Sequence, residues 1–399
     1  MVNKSGNYMK HLLIILMSFL SVMASASDTE INGVYYRIDN SSGTASVVSS
    51  PMDAKYSGDV IIPETIFLES VEYVVTSIDR DAFFYCPDLL SVTIGDNVIE
   101  IGKMAFSACN NLSDVMFGKR IEKIDDSAFS GCTALRTINL PGGIETIGES
   151  AFSGCTGLLS VSLPGSLTQI KNMAFYCCVA LESIDIPSGI TEISDFTFYG
   201  CSGLKSIKFP AELIRIGDGS FYGCTSLESL NLPSGIVSIG EAAFALCEAL
   251  KELIIPEGFK TIEKMAFYGG LGLEKIMLPS SITSIGEMAF YSMGIIYGGD
   301  VYCYATEVPT VDKMGFYVDI ISHMGTLHVP AASVDNYRIA PQWKLFAQIV
   351  PITDGETYPS GIKPVCVDLQ KDVIYSIDGQ RLSKPRKGIN IINGHKILY

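Results

Sequence analysis

The chain has 399 residues, of which 48% are hydrophobic, and it contains 37 Gly, 17 Pro and a single Trp. This composition excludes an intrinsically disordered protein, because there are enough apolar side chains to build a buried core. The formal net charge of −15 argues against a general nucleic-acid binder, since contact with a phosphate backbone relies on clustered Lys and Arg.

Residues 1–26 are predicted to be a secretory signal peptide. Lys4 and Lys10 precede an apolar run at residues 12–23, and the small residues 24–26 supply a cleavage pattern. The apolar run is too short to span a bilayer comfortably, and no later stretch is long and apolar enough to form a transmembrane segment. We therefore expect an exported protein that is extracellular or lies on the outer cell surface.

Residues 76–297 repeat with a period of 23 residues. Ile returns at this interval from position 78 to 285, and Leu from position 89 to 273. Phe recurs at 83, 106, 129, 152, 175, 198, 221, 244, 267 and 290, and Cys at 86, 109, 132, 155, 178, 201, 224 and 247. Such regularity is typical of a repeat architecture.

Each repeat predicts one coil of a right-handed solenoid. Residues 158–163, "LLSVSL", suit a short strand with one face inward, and Pro164 ends it because proline has no N–H for a ladder. Leu167 and Ile170 then point inward again, and Phe175 fills the interior. Coils stacked as parallel strands about 4.8 Å apart bury these side chains together. The predicted fold is an α/β-type solenoid of mostly short parallel strands.

Glycine is frequent directly after the repeated Ile. We interpret this position as one that adopts left-handed backbone geometry, which glycine tolerates best. The glycines are at positions 102, 148, 217, 240 and 286.

The two ends of an open stack need caps. Residues 27–75, with the alternating "VYYRID" and "TASVVSS", are predicted to form the N-terminal cap. Residues 298–352 are predicted to hold a degenerate repeat and a C-terminal cap, in which "VDNYRIAPQWKLF" forms a short amphipathic helix over the last coil. Residues 353–365 are predicted to be a linker, and residues 366–399 a small β-module.

The repeat resembles the treponemal-type leucine-rich repeat of BspA-like surface proteins. The stretch "LPGSLTQIKNMAFYCCVALESIDIP" carries the likeness, which covers residues 60–297, and "VYCYATEVPT" with "LHVPAASVDNYRIAPQWKLF" is similar to the family's C-terminal cap. The resemblance implies a secreted or surface-displayed bacterial protein that takes part in adhesion and host-protein binding. The tail "VIYSIDGQRLSKPRKGINIINGHKILY" is similar to the sorting modules of Bacteroidetes proteins exported by a type IX route, which implies association with the outer surface.

The regular column of Cys suggests disulfides in an exported protein. However, equivalent residues on stacked coils point in the same direction, whereas a disulfide requires side chains that face each other. We therefore expect buried free thiols, which pack as small hydrophobic side chains. The Cys residues have no His or acidic neighbours at zinc-site spacing, and we predict no metal and no cofactor.

Two surfaces are candidates for binding an extracellular protein or a glycan. The first is a ribbon of Tyr residues at the position after the repeated Phe: Tyr176, Tyr199, Tyr222, Tyr268 and Tyr291. The second is the outer face of the repeated strand, where Met116, Ile254 and Met277 interrupt a polar column. Aromatic side chains are enriched in recognition surfaces. The alternatives are that each ring only shields the turn beneath it, and that the strand face is an ordinary solvated sheet.

Nothing in the sequence predicts an enzyme. His323, His328 and His395 lie outside the regular repeats, and the chain holds no HExxH or GxSxG motif. The favoured function is a non-catalytic module that binds a macromolecule. The alternatives are a structural, envelope-associated spacer without a ligand and, less favoured, a hydrolase with a cleft near His323 and His328.

Overall fold

The computed structural model describes residues 28–51, 55–294, 298–317, 324–353 and 358, and the strands 374–376, 381–382, 389–392 and 395–398. Within these residues the chain forms a β-solenoid of about eleven turns, and this confirms the predicted array of 23-residue coils with short parallel strands. The predicted signal peptide lies outside the described residues, as does most of the predicted linker.

The N-terminal end is a small antiparallel meander joined to the solenoid. Thr29–Ile31, Val34–Asp39 and Thr44–Val47 pair antiparallel in chain order, and Thr65–Leu68 forms a hairpin with Val71–Ile78. Thr44–Val47 also pairs parallel with Val71–Ile78. The meander therefore continues the backbone hydrogen bonding of the first coil and leaves its core covered.

Each coil except the one at residues 229–231 contributes one strand to a first row of parallel strands. In the regular coils the middle residue of the strand is apolar and buried and its two neighbours face solvent, as in Thr137–Asn139. The register advances by one repeat, so that Ser91 lies beside Asp114. The strands of the first row are Gly58–Ile62, Leu89–Ile94, Asp114–Met116, Thr137–Asn139, Ser160–Ser162, Ser183–Asp185, Ser206–Lys208, Glu252–Ile254, Lys275–Leu278, Asp300–Cys303, Met324–Val329 and Phe346–Pro351.

A second row of shorter strands ends at the repeated Ile, whose side chain is buried in every coil. The strands of the second row are Val71–Ile78, Glu100–Ile101, Lys123–Ile124, Thr146–Ile147, Gln169–Ile170, Glu192–Ile193, Arg215–Ile216, Ser238–Ile239, Thr261–Ile262, Ser284–Ile285 and Thr310–Val311. A further parallel pair, Phe290–Tyr291 with Phe316–Tyr317, lies at the turn around the repeated Phe.

The turn around the repeated Phe, which we call the Phe turn, joins each coil to the next by backbone hydrogen bonds. The N–H groups of Met104, Phe106 and Ala108 donate to carbonyl oxygens of the next coil at 3.0, 2.7 and 2.7 Å. Met104 and Ala108 have positive φ angles of 56° and 61°. Left-handed geometry therefore belongs to the Phe turn and not, as the sequence suggested, to the position after the repeated Ile.

Glycine after the repeated Ile has a different physical cause. None of these glycines has a positive φ, and a Cβ added at Gly102 would lie 2.8 Å from both the nitrogen of Arg80 and the oxygen of Ile78. The N–H of Gly102 donates to that same Ile78 oxygen at 2.8 Å. Glycine is needed here because the backbones of adjacent coils approach closely.

The core is one continuous spine of stacked Phe rings. From Phe83 to Phe316, neighbouring ring centroids are 4.8 to 5.7 Å apart and the rings are nearly parallel. Tyr56 closes the spine at one end, 4.3 Å from Phe83. Trp343 closes it at the other, 5.1 Å from Phe316, with its indole N–H donating to the oxygen of Pro309.

Within the described residues, both strand rows are interrupted together at one joint between coils. Elsewhere a single row breaks at a time: the first row between Asp114–Met116 and Thr137–Asn139, and the second row between Gln169–Ile170 and Glu192–Ile193. Across residues 225–270, all of which are described, no strand forms at residues 229–231, and Ser238–Ile239 does not pair with Thr261–Ile262. The Phe turn still bridges this joint, because Ala242 and Phe244 donate to the next coil at 3.0 and 2.8 Å. A surface cavity of about 200 Å³ opens where the second row is interrupted.

The C-terminal end of the solenoid holds short helices: the 3₁₀ turns Ala331–Ser333 and Trp343–Leu345 flank the α-helix Val334–Ile339. Tyr337 and Trp343 are buried, as an amphipathic cap over the last coil requires. In the tail, the strands Ile374–Ser376, Arg381–Leu382, Ile389–Ile392 and His395–Leu398 form a four-stranded antiparallel sheet.

Candidate functional site

The Cys column packs inside the solenoid and forms a ladder of weak hydrogen bonds. Cys109, Cys132 and Cys155 are fully buried, and their sulfur atoms lie 3.0, 3.1 and 3.2 Å from the oxygen of the Phe in the preceding coil. Every Cys in the described residues is a free thiol, which confirms the prediction made from the parallel side-chain directions.

Burial makes the thiols of the column from Cys132 to Cys247 unreactive. It raises the pKa of Cys155, Cys201 and Cys247 from 9.0 to about 12, because a thiolate cannot be solvated in the core. Cys177 is the exception, since it is half-buried and occupies a left-handed position of the Phe turn with φ of 55°. The Cys column is thus part of the fold.

The Tyr ribbon is a stack of parallel rings. Tyr176 and Tyr199 have centroids 4.9 Å apart with an angle of 6° between planes, and Tyr199 and Tyr222 are 4.8 Å apart with an angle of 3°. Ala245 interrupts the ribbon, and Tyr268 stacks with Tyr291 beyond it at 5.3 Å. All five rings are half-buried. The rings cover one another, as the shielding alternative required, but their edges remain accessible.

Phe196 extends the ribbon sideways, and sequence reasoning missed it. Its ring is 36% exposed and lies 6.1 Å from the ring of Tyr199. It lies over the next coil at Gly219, where an added Cβ would be 2.7 Å from the ring. The sequence did contain a signal, because an aromatic residue is unusual at this position of the repeat. The equivalent positions in neighbouring coils are Met173, Gly219 and Ala242.

A line of carboxylates, which we call the acidic rim, runs beside this aromatic surface. Asp195 accepts the N–H of Asp218 at 2.9 Å, and Asp218 accepts the N–H of Glu241 at 2.9 Å. Arg215 pairs with Asp195 and with Glu192, and Lys264 pairs with Glu241. Asp218 is exposed and forms no ion pair within the described residues. The repeat alone did not indicate this rim.

The strand face does not bring its apolar residues together as one patch. Met116 is 61% exposed, but it lies far along the array from the other two. Ile254 is half-buried and Met277 is 4% exposed. Met277 is flanked in register by Ile254 and Tyr302, so it offers little surface to a partner. The face around residues 137–231 is polar and exposed.

The described residues show no metal-binding cluster. No group of three or more His, Cys, Asp or Glu side chains there could hold a metal ion. His328 lies 3.2 Å from Asp300 and its ring stacks on Tyr302 at 4.2 Å. His323 and the side chain of His395 lie outside the described residues. No helix within the described residues is long and apolar enough to cross a membrane.

Stacked coils, a Phe spine and an aromatic outer surface define a leucine-rich-repeat solenoid. Residues 76–204 and 168–296 match the family described as BspA type leucine rich repeat region, in six copies. These matches cover more than half of the chain, which belongs to this family.

This chain is similar to several leucine-rich repeat proteins of known structure. A leucine-rich repeat protein from Bacteroides ovatus is 25% identical with a TM-score of 0.64, over 81% of this chain and 90% of that one. The T. pallidum leucine rich repeat protein is 27% identical with a TM-score of 0.46, over 50% of this chain and 91% of its own. A leucine rich cell surface protein from Faecalibacterium prausnitzii is 25% identical with a TM-score of 0.37, over 72% and 95%. No curated protein matches this chain.

Proposed function

We propose that this protein is an exported, non-catalytic binding module that recognises an extracellular protein or glycan and so mediates adhesion or host interaction. The observation that carries the proposal is the partly exposed aromatic surface around Tyr199. Aromatic side chains contribute a large share of the binding energy in protein recognition. A rigid solenoid holds them in place, and this lowers the entropy lost on binding.

The rest of the molecule is compatible with a binding role. Membership of the BspA-type leucine-rich repeat family supports a surface protein, and the free thiols are buried and unreactive. The apolar run before residue 27 supports export. Repeat solenoids offer long, continuous surfaces suited to macromolecules.

The test is capture of extracellular ligands by the purified protein. Residues 27–399 are immobilised and presented with matrix proteins and glycan arrays, and the variant Tyr199→Ala/Tyr222→Ala is compared with Met116→Ala on the strand face. We expect a saturable ligand whose affinity falls at least tenfold in the Tyr variant and is unchanged in Met116→Ala. Equal capture by all three proteins would remove the aromatic surface from the proposal.

Export is tested separately by cell fractionation. The full chain should accumulate outside the cytoplasm, and a variant lacking residues 1–26 should remain inside. Cytoplasmic retention of both would contradict the assignment of a signal peptide.

A second candidate function is a structural spacer held at the envelope. The antiparallel tail sheet favours it, because among the described residues its strands pair with one another and with no strand of the solenoid. Residues 363–399 also hold seven Lys and Arg against three Asp, whereas residues 27–362 hold 19 against 40. Deleting residues 354–399 should release the protein from the cell surface if the tail anchors it. Unchanged surface retention would remove this role.

A further inference from the structure

We propose that the aromatic patch formed by Tyr176, Phe196, Tyr199 and Tyr222 docks a basic segment of a partner protein. This inference rests on the proposed function and assigns the chemistry of its ligand. Two features of the patch indicate the chemistry of the partner: the covered faces of its rings and the negative charge beside it.

The stacking of the rings disfavours a sugar as the ligand. A sugar ring binds an aromatic side chain across the face of the ring, yet both faces of Tyr199 are covered, by Tyr176 at 4.9 Å and Tyr222 at 4.8 Å. The outer face of Tyr222 looks toward Ala245, which is itself fully buried. Between Tyr176 and Tyr222 the patch therefore presents ring edges and phenol hydroxyl groups, which suit the peptide groups and side chains of a protein.

The acidic rim adjoins the patch directly. Asp195 precedes Phe196 in the chain, the Phe196 N–H donates to the oxygen of Asp218 at 2.8 Å, and the Phe196 ring reaches both Gly219 and Tyr199. A segment that covers the rings consequently comes within reach of the rim.

The negative charge of the acidic rim favours a basic partner. Among the described residues, Glu192, Asp195, Asp218 and Glu241 form ion pairs only with Arg215 and Lys264, which leaves an excess of negative charge. Once residues 1–26 are removed, the chain holds 26 Lys and Arg against 43 Asp and Glu. Lys or Arg side chains of a partner gain attraction at close range and a faster encounter, whereas acidic segments are repelled.

The experiment measures binding of synthetic peptides to residues 27–399 at 150 mM salt. The probes are a 16-residue peptide of alternating Lys and Leu, the matching peptide of Glu and Leu, and cellohexaose. We expect the Lys peptide to bind at least tenfold more tightly than the Glu peptide, and cellohexaose not to bind at the patch.

Serine is the substitution of choice, because Ser107, Ser130 and Ser153 occupy the same position in the first coils. Tyr199→Ser/Tyr222→Ser should weaken the Lys peptide at least tenfold, and the control Tyr268→Ser/Tyr291→Ser should leave it unchanged. Asp218→Asn should weaken it severalfold and reduce the salt dependence of the affinity. Thermal melts of each variant verify that the coil remains folded.

The outcomes separate this inference from the proposed function. If the Lys peptide binds the natural chain and Tyr199→Ser/Tyr222→Ser equally, the attraction is diffuse and the inference is wrong. If cellohexaose binds and the same variant abolishes that binding, the patch recognises glycans and the proposed function stands without the inference. Loss of every ligand in the matrix-protein and glycan assay would contradict the proposed function itself.

Discussion

Gly102 lies where two coils meet backbone to backbone. Its Cα approaches the chain of the preceding coil so closely that a methyl group would overlap the nitrogen of Arg80 and the oxygen of Ile78, both at 2.8 Å. The Ile78 oxygen cannot move away without breaking the hydrogen bond that it accepts from the Gly102 N–H at 2.8 Å. Gly165, in contrast, has open space around its Cα and no positive φ.

These two glycines give a matched test at the residue scale. Gly102→Ala should lower the free energy of unfolding by about 1–3 kcal/mol, because the added methyl group forces backbone displacement. Gly165→Ala should be neutral or stabilise by up to about 1 kcal/mol, since alanine restricts the unfolded chain without meeting a neighbour. Urea unfolding followed by circular dichroism measures both. Equal effects would show that close approach is not the reason for glycine at position 102.

The sequence shows where glycine and cysteine recur in the repeat. The physical reason for each residue could be predicted for cysteine but not for glycine. Parallel side-chain directions were enough to predict that Cys155 is a buried free thiol. The close approach at Gly102 depends on the distance between coils, which no single repeat encodes. The left-handed backbone at Met104 and Ala108 could not be predicted from the sequence, because the equivalent positions in other coils hold several different residue types.

At the scale of the elements, neighbouring coils are joined by backbone hydrogen bonds in three places: the two strand rows and the Phe turn. Two of these three connections are absent at the joint within residues 225–270. A larger side chain lies beside it: Phe259 is buried in a column that holds Leu213, Ile236 and Ile282 in neighbouring coils. A ring needs more space than a branched aliphatic side chain, and we expect Phe259 to hold the second row apart at this joint.

Amide hydrogen exchange tests the joint. The N–H of Gly240 donates to Ile216 at 2.9 Å and that of Gly286 donates to Ile262 at 2.8 Å, but the equivalent Glu263 has no such bond to Ile239. We expect the Glu263 amide to exchange at least tenfold faster than the other two. Phe259→Leu should slow its exchange toward theirs. Identical rates at all three amides in the natural chain would show that the joint is closed in solution.

The sequence predicted the existence of the strands better than their continuity. The period of 23 residues located each strand and the polar alternation located its outer face. Hydrogen bonding between neighbouring strands requires a precise spacing between coils, and this spacing depends on how the buried side chains pack. The interruption could therefore not be predicted from the repeat. Met277 was likewise expected on an open face of the strand. It is buried because it lies beside Tyr302 of the next coil, where the regular repeat ends.

At the scale of the whole molecule, the Phe spine makes the array one cooperative body. Each interior ring contacts the rings before and after it, and Tyr56 and Trp343 terminate the series. The thiol ladder runs parallel to it, with each sulfur within 3.0–3.4 Å of a Phe oxygen from Cys109 to Cys247. Titration of the thiols therefore affects the stability of the array as a whole.

Alkaline unfolding is the expected consequence. An unfolded thiol ionises near pH 9, whereas burial raises the pKa of Cys155, Cys201 and Cys247 to about 12. Their contribution to stability is fully present below pH 9 and is lost as the pH rises toward 12, because only the unfolded state releases protons in that window. At pH 10.5 each such thiol lowers the free energy of unfolding by about 2 kcal/mol relative to pH 8.

Cys155→Ser isolates this effect from the ionisation of lysines and tyrosines over the same range. Serine retains a donor for the oxygen of Phe129, which Cys155 contacts at 3.2 Å, but it does not titrate below pH 12. The difference in unfolding free energy between Cys155→Ser and the natural chain should shift by about 2 kcal/mol in favour of serine between pH 8 and pH 10.5. Urea titrations under reducing conditions measure it. A difference that is constant with pH would mean that the folded and unfolded thiols ionise alike, which a sulfur enclosed in the stack cannot do.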